Sequence, residues 1–377
     1  MIYKNLNGVA LSALGMGCMR LPQRSENGAD IDEEKLAEMV ELAMSRGVNY
    51  YDTAWVYHQG KSEECMGRAL AKYPRDSFYI ATKFPGFSTD FWGRGKEIFE
   101  EQLRRLGMDY IDYYLIHNVS EHNIEPYMDT ERYGDVEYMI SEKKAGRIKH
   151  LGFSTHGTLA TMKRFLDKYA SEMEFCQIQL NYLDYKLQSA KEKIELIRSY
   201  GLGVWVMEPV RGGRLAALEP EYAAKLEALR PGVSAPEWAF RFLQSIPDVV
   251  VTLSGMSNME QLEQNIATFE EEKILTECEW NALLEIADDM IAKKTLPCTE
   301  CRYCAPYCAQ ELNIPQMIKF YNTQMYPERA GEVRAQVAAL PEEQKPSACI
   351  ACRACEDVCP QNIKISEMMA EMAKRYC

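Results

Sequence analysis

Two hydrophobic periods take turns along the first 285 residues. Apolar runs with the length of strands fall at Ser12–Met16, Val48–Asp52, Phe78–Thr82, Ile111–Ile116, Ile148–Phe153, Phe175–Leu180, Gly203–Met207 and Val249–Leu253. Between them, near 33–45, 61–72, 96–106, 134–145, 158–170, 187–200, 234–245 and 259–266, apolar positions recur at helical spacing. Leu36, Met39, Val40 and Ala43, for example, line one face of the first. This alternation has the size and rhythm of an α/β protein with a (β/α)8 TIM barrel. A doubly wound parallel sheet alternates in the same way, but its phosphate fingerprint is incomplete here. Gly15-Met16-Gly17 begins a GxGxxG, and Arg20 stands where the third Gly belongs. Ahead of the first barrel strand, Asn7-Gly8 sits between the apolar-alternating arms of Ile2–Leu11, which predicts an N-terminal β-hairpin capping the barrel floor.

After residue 290 the strand pattern stops. Helical stretches near 315–323, 328–339 and 364–375 are interleaved with cysteine-bearing loops. The expected division is therefore a barrel over 1–285 and a small, mainly α-helical domain over 286–377.

The net charge of −13 argues against a nucleic-acid partner, because binding a phosphate backbone needs a positive surface. No run approaches the roughly 18 apolar residues of a membrane span. The apolar run Val9–Cys18 is too short and polar for an export signal. The expectation is a cytoplasmic protein with neither nucleic acid nor membrane as partner.

Thirteen cysteines are an anomalous count; five are scattered, and the densely placed ones read as metal ligands because a disulfide-stapled domain would be small and secreted. Eight form two blocks, Cys298-x2-Cys301-x2-Cys304-x3-Cys308 and Cys349-x2-Cys352-x2-Cys355-x3-Cys359-Pro360. Each reproduces the bacterial ferredoxin run, in which the fourth Cys ligates the other cluster. By that rule Cys298, Cys301, Cys304 and Cys359 hold one [4Fe–4S] cluster, and Cys349, Cys352, Cys355 and Cys308 the second. Structural zinc is the alternative, although a third CxxC-spaced Cys in each block is superfluous for it. Asn313-Ile314-Pro315 after the first block matches Asn362-Ile363-Lys364 after the second. The arrangement resembles α-helical dicluster ferredoxin modules.

Asp52, Tyr57, Lys83 and His117 lie at or just beyond the ends of successive expected strands, where barrel enzymes keep their catalysts. Asp52-Thr53-Ala54 with Tyr57, Ala81-Thr82-Lys83 and Tyr114-Leu115-Ile116-His117 resemble the Asp–Tyr–Lys–His tetrad of the aldo-keto reductase superfamily. Gly152-Phe153-Ser154, Gln179-Leu180-Asn181-Tyr182 and Ser254-Gly255-Met256-Ser257 through Asn265 look like its cofactor segments. The likeness covers essentially all of residues 1–285. It implies a carbonyl reductase in which Tyr57 is the general acid, Lys83 lowers its pKa, Asp52 keeps Lys83 charged and aimed, and His117 orients the carbonyl oxygen. Taken singly, each of these residues reads as a packing or ion-pair residue.

The same resemblance implies NADPH or NADH bound by Gly17, Met19, Ser154, Gln179, Met207, Gly213, Ser254, Gly255, Ser257, Gln261 and Asn265. There are departures from the family pattern. Val206-Met207-Glu208-Pro209 replaces a stacking Tyr and following Ser. Gln261 stands where many members carry the Arg that clamps a 2′-phosphate, so the preference between the two nucleotides stays open. Arg211-Gly212-Gly213-Arg214 reads either as a drape over a pyrophosphate or as a simple turn.

Three functions compete: carbonyl reduction with an attached cluster module, single-electron transfer through the clusters to a protein or quinone-like acceptor, and a non-catalytic redox-sensing subunit. The intact tetrad favours catalysis over sensing. Nicotinamide gives up two electrons and a cluster takes one, a mismatch normally bridged by flavin. No recognisable flavin motif is present, although a barrel can bind FMN without one. The expected partners are a small carbonyl or quinone-like substrate and a redox protein.

Overall fold

The computed structural model describes residues 1–25, 30–325 and 329–377. They form two compact units. One comprises Met1–Val210 and Leu215–Trp280, the other Arg211–Arg214 and Asn281–Cys377.

The first unit opens with the antiparallel hairpin β1 (Tyr3–Leu6) and β2 (Val9–Ser12), pairing Tyr3 with Ser12 and Leu6 with Val9. Asn7 and Gly8 have φ 51° and 84°, the left-handed pair that a tight hairpin turn demands and that Asn-Gly adopts at least cost. Eight parallel strands follow: β3 (Leu14–Gly17), β4 (Tyr50–Asp52), β5 (Tyr79–Phe84), β6 (Ile111–Val119), β7 (Ile148–Thr155), β8 (Phe175–Gln179), β9 (Gly203–Met207) and β10 (Val249–Ser254). They close in chain order, with β10 pairing β3 through Thr252 and Leu14. This is the eight-stranded barrel that the alternation predicts.

The hairpin caps the barrel, as expected. Leu6 and Val9 pack on a buried cluster of Tyr50, Tyr113, Phe175, Trp205 and their aliphatic neighbours. Phe175 and Trp205 have ring centroids 4.5 Å apart, and Tyr50 and Tyr113 5.1 Å. Truncating one such ring to Ala costs about 3–5 kcal/mol.

Some boundaries differ from the pattern. The first barrel strand starts at Leu14, because Ser12 is spent in the hairpin. The expected helix 187–200 is two, Asp184–Leu187 and Ala190–Ser199, broken where Ser189 takes φ 50°. The helix Pro220–Leu229 escapes the pattern because it buries only Tyr222 and Leu226. The helix Glu277–Ala292 is absent from the expected elements, although a capping box opens it. Thr276 and Glu279 exchange side-chain-to-backbone hydrogen bonds of 2.8 and 3.4 Å. The expected boundary at 285 falls inside that helix.

In the second unit the helices Ile314–Gln324, Ala330–Ala338 and Ile365–Tyr376 enclose a small core. It contains Met317, Ile318, Phe320, Val333, Val337 and Met372 together with Cys304, Cys355 and Cys359. The expected stretch 328–339 corresponds to the middle helix, and residue 328 lies outside the described residues. Among the described residues no helix is long and apolar enough to cross a membrane.

Candidate active site and cluster pockets

Three of the four tetrad residues stand at strand ends. Asp52 closes β4, Lys83 lies near the end of β5, and His117 lies near the end of β6, while Tyr57 follows β4 by one turn. Lys83 is fully buried, and its Nζ donates to Asp52 Oδ1 (2.6 Å) and to the Thr53 carbonyl (2.7 Å). The ammonium lies 5.1 Å from the centroid of the Tyr57 ring. Tyr57 in turn meets His117 edge-on, with centroids 6.5 Å apart. The structure thus brings all four together. Burial pushes the Asp52 carboxyl up, against the pull of Lys83. Burial, helped by the charge of Lys83 and by His156, holds His117 well below the usual imidazole range, so the ring is neutral at pH 7. Its Nδ1 is buried without a hydrogen-bond partner among the described residues.

Several positioning groups were not read from the sequence. The turn carrying Tyr57 is pinned by buried His58, whose Nε2 accepts the Leu21 N–H at 3.0 Å. His58 and Gln59 have φ 52° and 55°, a costly pair in residues with side chains. Behind Lys83, Gln102 Nε2 donates to the Lys83 carbonyl (3.0 Å) and to Glu63 Oε1 (2.8 Å), and the Tyr114 hydroxyl donates to Gln102 Oε1 (2.6 Å). That buried network fixes the strand that aims the ammonium. Phe87 packs edge-on against His117 at 5.3 Å, with Phe91 and Trp55 beyond it, so an aromatic wall adjoins the phenol. Cys18 also lies in the field of Asp52 and Lys83. Burial raises its thiol, which makes it a poor nucleophile.

The burial of His117 carries a pH prediction. In an unfolded chain imidazole takes up a proton near pH 6.5, whereas folded His117 does so only well below that. Between those values the unfolded state binds the extra proton, so acid favours unfolding. The loss of unfolding free energy between pH 7 and pH 5, read from urea titrations, should therefore be smaller in His117→Gln than in the parent. Equal losses in both proteins would refute this.

The residues expected around a dinucleotide stand mostly at the same ends of strands: Gly17 on β3, Ser154 on β7, Gln179 on β8, Met207 on β9 and Ser254 on β10. Ser154 Oγ accepts the Asn118 N–H at 2.8 Å, and Gln179 Nε2 donates to Asp184 Oδ2 at 2.8 Å. Asn265 Nδ2 donates to Ser254 Oγ at 3.0 Å. Met19 lies in the turn Cys18–Arg20, and Ser257 Oγ donates to the Arg20 carbonyl at 2.9 Å. The backbone is close-packed here, since a Cβ on Gly17 would press on the Ser254 carbonyl and one on Gly255 on the Arg20 side chain. Gln261 Oε1 accepts the Ser257 N–H at 2.8 Å, so this neutral amide closes its own loop. This rim of amides and hydroxyls at glycine-lined strand ends fits a dinucleotide. Gly213 is the exception, for Arg211–Arg214 groups with the second unit.

In that unit Cys308, Cys349, Cys352 and Cys355 line one pocket that opens to solvent. Cys304 lies in the field of Cys298, Cys301 and Cys359, and also of Cys355 from the other block, and Cys298 in that of Cys359. The structure thus brings near one another the members of each crossed set that the spacing suggests. Backbone N–H groups point at the sulfurs, from Glu300 to Cys298 and from Leu312 to Cys308, each at 3.4 Å. Among the described residues no three His, Cys, Asp or Glu side chains gather around a single-ion position. A zinc site draws its sulfurs to about 2.3 Å from one point, whereas a cubane holds its four thiolates apart at its corners.

The blocks are also conformational repeats. With Cys298 set on Cys349, the left-handed residues Glu300, Arg302 and Glu311 fall on Ala351, Arg353 and Asn362. Ile314 then falls on Ile365, and each opens its helix. This corrects the match read from the sequence: Asn313 corresponds to Lys364, because the backbone turn and not the Asn-Ile pair sets the register.

A closed parallel barrel with a buried Lys–Asp pair, a phenol and a neutral imidazole at its strand ends defines a barrel oxidoreductase. Residues 13–288 match the aldo/keto reductase family and residues 297–363 a 4Fe-4S dicluster domain. The chain belongs to the aldo/keto reductase family and carries a C-terminal dicluster domain. It is 25% identical to the uncharacterized oxidoreductase YqkF of Bacillus subtilis over 72% of this chain and 92% of that protein. It is 24% identical to the NADH-specific methylglyoxal reductase of Escherichia coli over 69% of this chain and 90% of that one. Among solved structures, the holo form of an aldo-keto reductase from Bacillus halodurans matches with a TM-score of 0.60 at 25% identity, over 76% of this chain and 96% of that one.

Proposed function

We propose that the barrel reduces a carbonyl or quinone-like compound with NADPH or NADH, and that the second unit holds two [4Fe–4S] clusters which pass single electrons. The observation that carries this reading is the fully buried Lys83, paired with Asp52 and set 5.1 Å from the Tyr57 ring. The nicotinamide, when bound, supplies a hydride to the carbonyl carbon. Tyr57 then delivers a proton to the carbonyl oxygen, and the Lys83 ammonium stabilises the negative charge left on the phenolic oxygen. Asp52 holds Lys83 in place. Neutral His117 orients the carbonyl, and the wall of Phe87, Phe91 and Trp55 keeps water from it and favours a flat, apolar substrate. Ser154, Gln179 and Asn265 are the residues for the nucleotide.

Support for the electron-transfer part comes from the second pocket, where the ligand Cys352 is exposed. An exposed ligand shortens the path to a protein or quinone-like acceptor. Anaerobic mixing with NADH or NADPH, followed in the visible absorption of the clusters, tests the link. Bleaching within turnover times and without added flavin is expected if barrel and clusters share one electron path. Oxidation of NAD(P)H by carbonyls with no bleaching would leave a reductase whose clusters serve another purpose.

A further inference from the structure

The Arg211-Gly212-Gly213-Arg214 stretch lies outside the tetrad and groups with the second unit. Arg211, Gly212 and Gly213 all have left-handed backbone, with φ 50°, 61° and 97°. Three such residues in a row turn the chain sharply, and glycine makes the second and third tolerable. The turn delivers Arg211 to a buried position, 5% exposed. Its Nη2 lies 3.4 Å from the carbonyl oxygen of Pro297, the residue that precedes Cys298. A guanidinium keeps its charge even when buried. A permanent cation thus stands one peptide from the first ligand set, Cys298, Cys301, Cys304 and Cys359.

The environments of the two ligand sets differ. In the first, Cys304 and Cys359 are buried and Cys298 and Cys301 half-buried, whereas the second opens to solvent at Cys352, beside Ile350, which is 60% exposed. A [4Fe–4S] cluster with four thiolates is an anion, and it gains one more negative charge when it takes one electron. Burial disfavours that gain and lowers the reduction potential, while a nearby cation favours it and raises the potential. We propose that Arg211 offsets the burial of the first cluster and holds its reduction potential up. The proposal rests on the cluster assignment above.

The test is a redox titration with dithionite as the reductant, monitored by electron paramagnetic resonance, on the anaerobically purified full chain. Cys301→Ser and Cys352→Ser assign the two cluster signals. In Arg211→Gln and Arg211→Met the first midpoint should move to more negative potential and the second should stay. Arg211→Lys, which keeps the charge, should remain close to the parent. Equilibrium dialysis should show unchanged NADPH and NADH binding in all three. Unmoved midpoints in a neutral variant that loads its iron overturn the proposal, and weaker nucleotide binding beside them would assign Arg211 to a phosphate. If only Arg211→Lys retains the first cluster, the charge is required there and the proposal stands. Loss of that cluster in all three variants points to packing and overturns it. A parent protein without iron and sulfide sinks the cluster assignment itself, and this proposal with it, a result distinguishable from all the others.

Discussion

Tyr57→Phe should lower carbonyl reduction by about two to four orders of magnitude, the usual worth of a positioned general acid. The substitution removes the proton donor and keeps the ring, so the edge contact with His117 and the ammonium contact survive. Nicotinamide binding should hardly change, because the residues placed for it lie on other strands. Lys83→Met should cripple turnover as well, by removing the cation that stabilises the phenolate. It also strands Asp52 as a buried carboxylate without its partner, which costs roughly 3–5 kcal/mol of stability. Thermal unfolding must therefore accompany the kinetics. The double variant should be little slower than either single one, because the two side chains form one proton-delivery unit. The assay follows NAD(P)H oxidation with a panel of aldehydes, ketones and quinones. Parent-like rates in Tyr57→Phe on any good substrate would remove the phenol from the mechanism and shift the weight to cluster-borne electron transfer.

The second large effect concerns the clusters. Anaerobically purified protein should hold about eight irons and eight acid-labile sulfides per chain. Near-stoichiometric zinc with little sulfide would contradict that. Cys359→Ala should abolish the first cluster, although Cys359 belongs to the second block, because it lies near Cys298 and Cys304. Damage confined to the second cluster would show that the crossed sets are wrong. Stripping both clusters, by air or a chelator, should unfold residues 281–377 while the barrel survives. Three cluster cysteines, Cys304, Cys355 and Cys359, are themselves walls of that unit's core. Without the clusters, the aliphatic remainder is too small to hold three helices together. Limited proteolysis with mass spectrometry reads the outcome, and first cuts within the barrel would count against it.

The barrel was legible because each strand and helix carries its own period, and closure in chain order follows from repeating one right-handed unit. The tetrad was legible for a similar reason. Asp52, Lys83 and His117 come at the ends of apolar runs, and a strand end points at the catalytic face whatever else the fold does. His58, Gln102 and Glu63 were not legible. Nothing local marks His58 as the acceptor of the Leu21 N–H, or Gln102 as the donor to the Lys83 carbonyl. Such polar groups become necessary only when folding buries them and leaves them no water to bond.

The chain's own sequence determined the barrel, its hairpin cap and the two cysteine blocks, because spacing along a strand, a helix or a ligand loop is a local property. Tertiary structure alone decided the rest. It showed that the repeat is registered by left-handed residues and not by the Asn-Ile pair, because backbone conformation tolerates different side chains at matched positions. It showed that burial, beyond any neighbour in sequence, keeps His117 neutral. It also placed Arg211, read from its glycines as a phosphate loop or a bare turn, against Pro297 in the second unit. A glycine-rich turn states only that the chain bends, and what the bend delivers its arginine to depends on residues far away in the chain.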